Sequence, residues 1–150
     1  SGEIVQWGFN CRLDNLQAAI LSMKLVDFPA EISKRRNLAQ VYHEQLASVE
    51  EIKLPPPPAE NVKNFDTFQN YEVDARNRDE LRSYLKENGI GVLLPWGGKA
   101  VHQFKKLNLN FELPITDDVF KRCMLLPMNT SLSEEDVISV SQVIKNFYTK

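Results

Sequence analysis

The sequence predicts an α+β fold: a small antiparallel sheet of about three strands packed with helices on one face, preceded by two long helices. Three observations carry that reading. Long helical segments come first and stop at Pro55-Pro56-Pro57-Pro58. After the prolines, short apolar runs alternate with capped amphipathic segments. The last segment places Val137, Val140, Ile144 and Phe147 at 3-4-3 spacing, which is the stripe of a helix with one buried face.

The elements follow in order. Residues 3–7 (Glu-Ile-Val-Gln-Trp) alternate loosely and suit a short extended entry. Asp14 is placed to cap a first helix over residues 15–26. Its Ala18, Ala19, Ile20, Leu21, Met23, Leu25 and Val26 leave hardly any polar face. Such a helix is covered by its own core or by a partner chain. Pro29 fits a helical first turn better than an interior. That predicts a second helix over residues 29–49, capped by Asp27, with Ile32, Leu38, Ala39, Val41, Tyr42 and Leu46 as its stripe. Lys34, Arg35 and Arg36 are expected to face away from that stripe or toward its edge, most simply on the solvated side.

Four consecutive prolines favour a stiff extended connector. The organisation read from this is a helical entry and interface segment over residues 1–54, a Pro-rich linker over 55–66, and an α+β core over 67–150. Residues 67–75, with Phe68, Tyr71 and Val73, read as the first strand. Asn77-Arg78-Asp79-Glu80 has the spacing of a capping box, and Leu81, Tyr84 and Leu85 give that helix its buried face. Asn88-Gly89 signals its end. Residues 90–94 read as a second strand. Trp96-Gly97-Gly98-Lys99 is a loop, followed by a short helix through Val101, Phe104 and Leu107. Thr116 is read as the cap of a helix over 117–123, residues 124–126 as a third strand, and Ser133 as the start of the final helix.

Composition narrows the function. The chain has 150 residues and a net charge of −2, which argues against a general nucleic-acid binder. No apolar run approaches the roughly 20 residues of a membrane span. Cys11 and Cys123 stand alone, without metal-ligand spacing, which suits reduced thiols in the cytoplasm. The first methionine is Met23, so the chain is read as part of something longer.

Asn10 and Arg12 stand in a polar loop running straight into the apolar first helix, a rigid support from which polar groups can be aimed at a ligand. By residue type alone, Asn10 suits a turn before a capped helix and equally suits a neutral amide donor to phosphate. Arg12 can take phosphate in a fork or pair with an acid. In the second loop, Gly97-Gly98 permits close backbone approach, Lys99 supplies a cation, and His102 can donate or accept.

Gly8-Phe9-Asn10-Cys11-Arg12-Leu13-Asp14, followed by Gln17-Ala18-Ala19, resembles the G-[YF]-N-x-R-[ML]-x-x-x-Q-A-A signature of DegT/StrS-type sugar aminotransferases. Asn77-Arg78-Asp79-Glu80-Leu81 through Asn88-Gly89-Ile90, the His102 loop, and Met124-Leu125-Leu126-Pro127 through Leu132-Ser133-Glu134-Glu135 resemble later segments of that family, in the same order. The resemblance implies the C-terminal small domain of a fold-type I aminotransferase. It implies pyridoxal 5'-phosphate as cofactor, a homodimer, a nucleotide-linked keto sugar as acceptor, and an amino-acid donor, glutamate. By resemblance, Asn10 reaches the phosphate of the neighbouring subunit's cofactor and His102 holds the place of the family's loop histidine; with Arg12, Trp96 and Lys99, chosen by residue type, His102 completes the candidates for substrate contact. Leu94-Pro95-Trp96 stands where the family commonly has His-Tyr-Pro, a departure that offers Trp96 for stacking on a base or sugar instead. The family's Schiff-base lysine lies upstream of the Gly8 motif, so this stretch alone is expected to be inactive. Two other readings stay open: a sugar dehydratase of the same family, and a non-catalytic binding module.

Overall fold

The computed structural model describes residues 14–59, 62–109 and 111–149. The first element among the described residues is a single helix, α1 (Asn15–Leu46), 32 residues long. Asp14 caps it as expected, accepting the Gln17 amide at 2.8 Å. The division into two leading helices is corrected here: Pro29 lies inside α1, and Asp27 caps nothing. Proline removes one amide and crowds the preceding turn. At this site the carbonyl left without its amide is that of Leu25, on an exposed turn where water can serve it.

The sheet holds β1 (Ile52–Lys53), β2 (Tyr71–Ala75) and β3 (Cys123–Leu126), antiparallel and in that spatial order. β1 is where the long second helix was expected to give way to linker; instead it pairs Ile52 with Ala75. β2 is shorter than the stretch 67–75, because Phe68 takes a left-handed φ of 49° and breaks the extended backbone. Residues 90–94 form no ladder of their own. Only Leu93 bridges, exchanging bonds with Leu125 at 3.2 and 2.8 Å. The alternation is nonetheless obeyed, since Ile90, Val92 and Leu94 pack on the core.

Three further helices complete the fold: α2 (Arg78–Glu87), α3 (Pro114–Arg122) and α4 (Glu134–Tyr148). The capping box at α2 does not form. Asn77 sits at a left-handed φ of 53° with no side-chain cap bond. The C-terminal signal holds: Gly89 has φ 77°, and the Ile90 amide reaches back to the Leu85 carbonyl at 2.9 Å. α3 begins at Pro114 rather than after Thr116, because proline at the first helical position is already set for the turn. The short helix through Val101, Phe104 and Leu107 resolves into two 3-10 turns, Val101–Gln103 and Lys105–Leu107. Ser133 caps α4 in a reciprocal box with Asp136.

One core joins these parts. Leu38, Tyr42 and Leu46 of α1, Leu81 and Leu85 of α2, and Val137 and Ile144 of α4 pack against Tyr71, Val73, Met124 and Leu126 of the sheet. The register explains the shared face: Tyr71 pairs with Leu126 and Val73 with Met124, so all four point the same way. Tyr42 stacks on Tyr71 at 4.7 Å between ring centres and donates to the Pro127 carbonyl at 2.9 Å. Burial raises both phenol pKa values well above the ordinary range. Arg36, expected on a solvated face, is instead half-buried. It donates to Asp66 and Ala59 carbonyls at 2.8 and 2.7 Å and lies over the Phe65 ring. Cys123 is a buried free thiol, and burial pushes its pKa up. Among the described residues, no helix is long and apolar enough to cross a membrane.

Candidate functional site

The second loop is held at its start by the Leu93–Leu125 bridge to β3. Pro95 then opens a 3-10 turn over Pro95–Gly98 in which Trp96, Gly97 and Gly98 are all left-handed, at φ 51°, 70° and 81°. Glycine adopts that conformation freely; tryptophan does so at a cost of about 1–2 kcal/mol. Gly98 is needed twice over. A Cβ there would stand 3.1 Å from the Leu94 Cδ1 and 3.8 Å from the Arg78 guanidinium. The turn projects the Trp96 ring outward, 81% exposed, on a backbone that packs on β3 and α3.

Arg78 is the fixed point under this turn. It is buried, and one guanidinium nitrogen donates to the Phe120 and Cys123 carbonyls, both at 3.2 Å. It also pairs with exposed Asp79 at 2.8 Å. Those carbonyls belong to the end of α3, where the helix dipole favours a cation. A cation in the first turn of α2 is misplaced for its own helix, which is the sequence signal that Arg78 has a partner elsewhere.

The far side of the loop is fixed by α3's other end. Lys99 is exposed. Ala100 is buried, and its amide donates to the Gln103 side-chain oxygen at 3.0 Å. The Gln103 amide nitrogen donates in turn to the Asp117 carboxylate. His102 Nε2 meets the same carboxylate oxygen at 2.9 Å, with its side chain only 6% exposed. The residues expected to contact ligand thus fall in two groups. Trp96 and Lys99 face outward, while the imidazole of His102 is turned into the protein. Asn10 and Arg12 lie outside the described residues. Asp117 and Gln103 are not marked by any local motif; their pairing spans 14 residues and appears only once the chain is folded.

The lysines bear on covalent chemistry. Among the described residues none is buried. Lys145, partly covered, donates to the Gln45 side chain at 2.9 Å. No group of three His, Cys, Asp or Glu side chains among the described residues stands ready for a metal.

Comparison with known proteins gives a coherent picture. The model of the DegT/DnrJ/EryC1/StrS aminotransferase family matches residues 2–145. A Geobacillus stearothermophilus protein named pleiotropic regulatory protein is 32% identical, over 94% of this chain and 38% of its own length. The UDP-2-acetamido-2-deoxy-3-oxo-D-glucuronate aminotransferase of Pseudomonas aeruginosa is 29% identical, over 95% of this chain and 38% of its own. Among solved structures, an aminotransferase of the same family from Brucella abortus superposes with a TM-score of 0.82 at 30% identity. It matches all of this chain and 40% of that one. The chain spans about two fifths of the length of these relatives.

Proposed function

The chain belongs to the DegT/DnrJ/EryC1/StrS aminotransferase family, and from that premise we propose that it is the C-terminal part of a pyridoxal-phosphate-dependent sugar aminotransferase. In this reading the whole enzyme is a homodimer. It moves an amino group from glutamate to a nucleotide-linked keto sugar that serves polysaccharide or antigen synthesis. The observation that carries the reading is the family match over nearly the whole chain, joined to a named UDP-sugar aminotransferase aligned over 95% of it.

Pyridoxal phosphate, when bound, supplies the electron sink that such a transfer needs. The described residues do not fit its covalent attachment. A Schiff-base lysine works from a desolvated pocket that favours the neutral amine, and none of the described lysines is buried. No step is therefore routed through them, and this chain alone is proposed to be inactive in transfer. Asn10 is proposed to donate its neutral amide to the cofactor phosphate across the dimer contact. Arg12 and Lys99 are proposed to attract the sugar-nucleotide phosphates, and Trp96 to stack on a base or sugar face. His102 has Nε2 committed to Asp117 and Nδ1 buried, so a substrate contact through its ring requires the ring to turn outward.

The test is Asn10→Ala in the full-length protein. Cofactor retention on dialysis is expected to weaken by about tenfold, near the 1–1.5 kcal/mol of one lost hydrogen bond, with the urea midpoint unchanged. Equal retention in variant and wild type would remove the assigned role.

A further inference from the structure

We propose that Asp117 is a positioning residue: its carboxylate holds His102 and Gln103, and through them sets where the loop bearing Trp96 and Lys99 stands. The proposal rests on the sugar-nucleotide reading above for what the loop contacts. It rests on geometry alone for how the loop is held.

Three observations carry it. First, a single carboxylate oxygen takes both side chains, His102 Nε2 at 2.9 Å and the Gln103 amide nitrogen. A carboxylate only accepts, so Nε2 carries the proton and the tautomer is assigned by this contact. Second, His102 Nδ1 is buried with no hydrogen-bond partner. No second bond turns the ring, so Asp117 by itself orients an imidazole that is 6% exposed. Third, Gln103 passes the restraint to the backbone, since its side-chain oxygen accepts the Ala100 amide at 3.0 Å.

The surroundings show why one carboxylate matters so much. Between the loop and α3 the chain exposes Phe104, Leu107, Phe111 and Leu113, so little packing anchors this connection. Asp117 itself stands in the first turn of α3, where the helix dipole favours its charge, and its own amide is tied to the Leu113 carbonyl at 2.9 Å. Arg78 grips the other end of α3 and lies beneath Gly98. The loop is thereby splinted at both ends against one short helix.

The experiment uses the full-length protein and reads hydrogen–deuterium exchange together with steady-state kinetics. In Asp117→Ala, the amides of residues 100–104 are expected to exchange about tenfold faster, while those of 71–75 in the sheet stay as in wild type. KM for the nucleotide sugar is expected to rise about tenfold with kcat within about twofold, as for lost uniform binding. Two further variants check the assigned nitrogen by exchange. His102→Gln places an amide donor near the position of Nε2 and should retain protection of residues 100–104. His102→Asn places it near Nδ1 and should lose that protection as Asp117→Ala does. Unchanged exchange at 100–104 in Asp117→Ala overturns the proposal. So does equal acceleration of loop and sheet, which marks a merely structural residue, or a loosened loop with KM unmoved. A wild-type protein with no transfer activity toward nucleotide sugars would sink the functional reading instead, and the exchange data alone would then decide the inference.

Discussion

The two halves of α1 share one helix and almost nothing else. Toward the C-terminus, Leu38, Ala39, Tyr42 and Leu46 are buried to within 1% and form the centre of the core. Toward the N-terminus, Leu16, Met23, Leu25 and Val26 are 63–78% exposed. The difference is one of patterning. The C-terminal half carries a stripe that one small sheet and α4 can cover. The N-terminal half is apolar on nearly every side and extends past the body of the domain. The same contrast recurs around the second loop, where Leu93, Trp96, Val101 and Ile115 are also exposed. Contiguous exposed apolar surface is the kind that commonly marks contact with other protein.

The largest expected effect tests this contrast directly. Leu46→Ala should lower the unfolding free energy by about 3–4 kcal/mol, the usual cost of a cavity at a fully buried leucine. Leu25→Ala, the same chemical change on the same helix, should stay within about 0.5 kcal/mol. Urea unfolding of both variants is the measurement. Equal losses at the two positions would break the comparison and mean that the outer half of α1 is covered within this chain.

Much of this division is legible in the sequence, and most of what is not depends on partners distant along the chain. Asp14, Gly89 and Ser133 are legible because their caps are decided within about four residues, although Asn77, left-handed and without a cap bond, shows that the same local pattern does not always make a box. Pro29 misleads for the converse reason. Locally, Asp27-Phe28-Pro29 looks like a helix start, but the continuing helix on both sides outweighs one lost amide. β1 escaped notice because two residues carry no period; it exists only because Ala75 and Asp74 offer partners. In the site, Trp96, Lys99 and His102 stood out by residue type beside two glycines. Asp117 and Arg78 did not, since their work depends on partners 15 and 42 to 45 residues away.

Arg78 gives the second test, intermediate in size. It joins the buried region to the outer loop, because its guanidinium serves carbonyls at the end of α3 while Gly98 lies over it. Arg78→Ala leaves buried acceptors unpaired and should cost about 2–3 kcal/mol. Arg78→Lys should recover only part of that, because an ammonium lacks the guanidinium's planar fork. Full recovery by lysine in urea unfolding would show that charge alone matters at this junction and that the fork holds nothing in place.

The smallest effect sharpens the comparison from the buried side. α4 packs on the C-terminal half of α1, and its start is fixed by Asp136, which accepts the Ser133 amide at 2.9 Å and the Ser133 hydroxyl at 3.1 Å. The backbone bond, then the hydroxyl bond, hold the carboxyl pKa below its ordinary value of 3.8. The folded state therefore prefers the ionised form. That preference stabilises the protein above the ordinary carboxyl value and is lost as pH falls through the lower folded value. Asp136→Asn should accordingly be less stable than wild type at neutral pH, with the gap closing in acid below about pH 4. Unfolding curves of both proteins across that range measure it. A gap independent of pH would assign the cap's contribution to shape rather than charge, and would leave the anchoring of the buried half of α1 to packing alone.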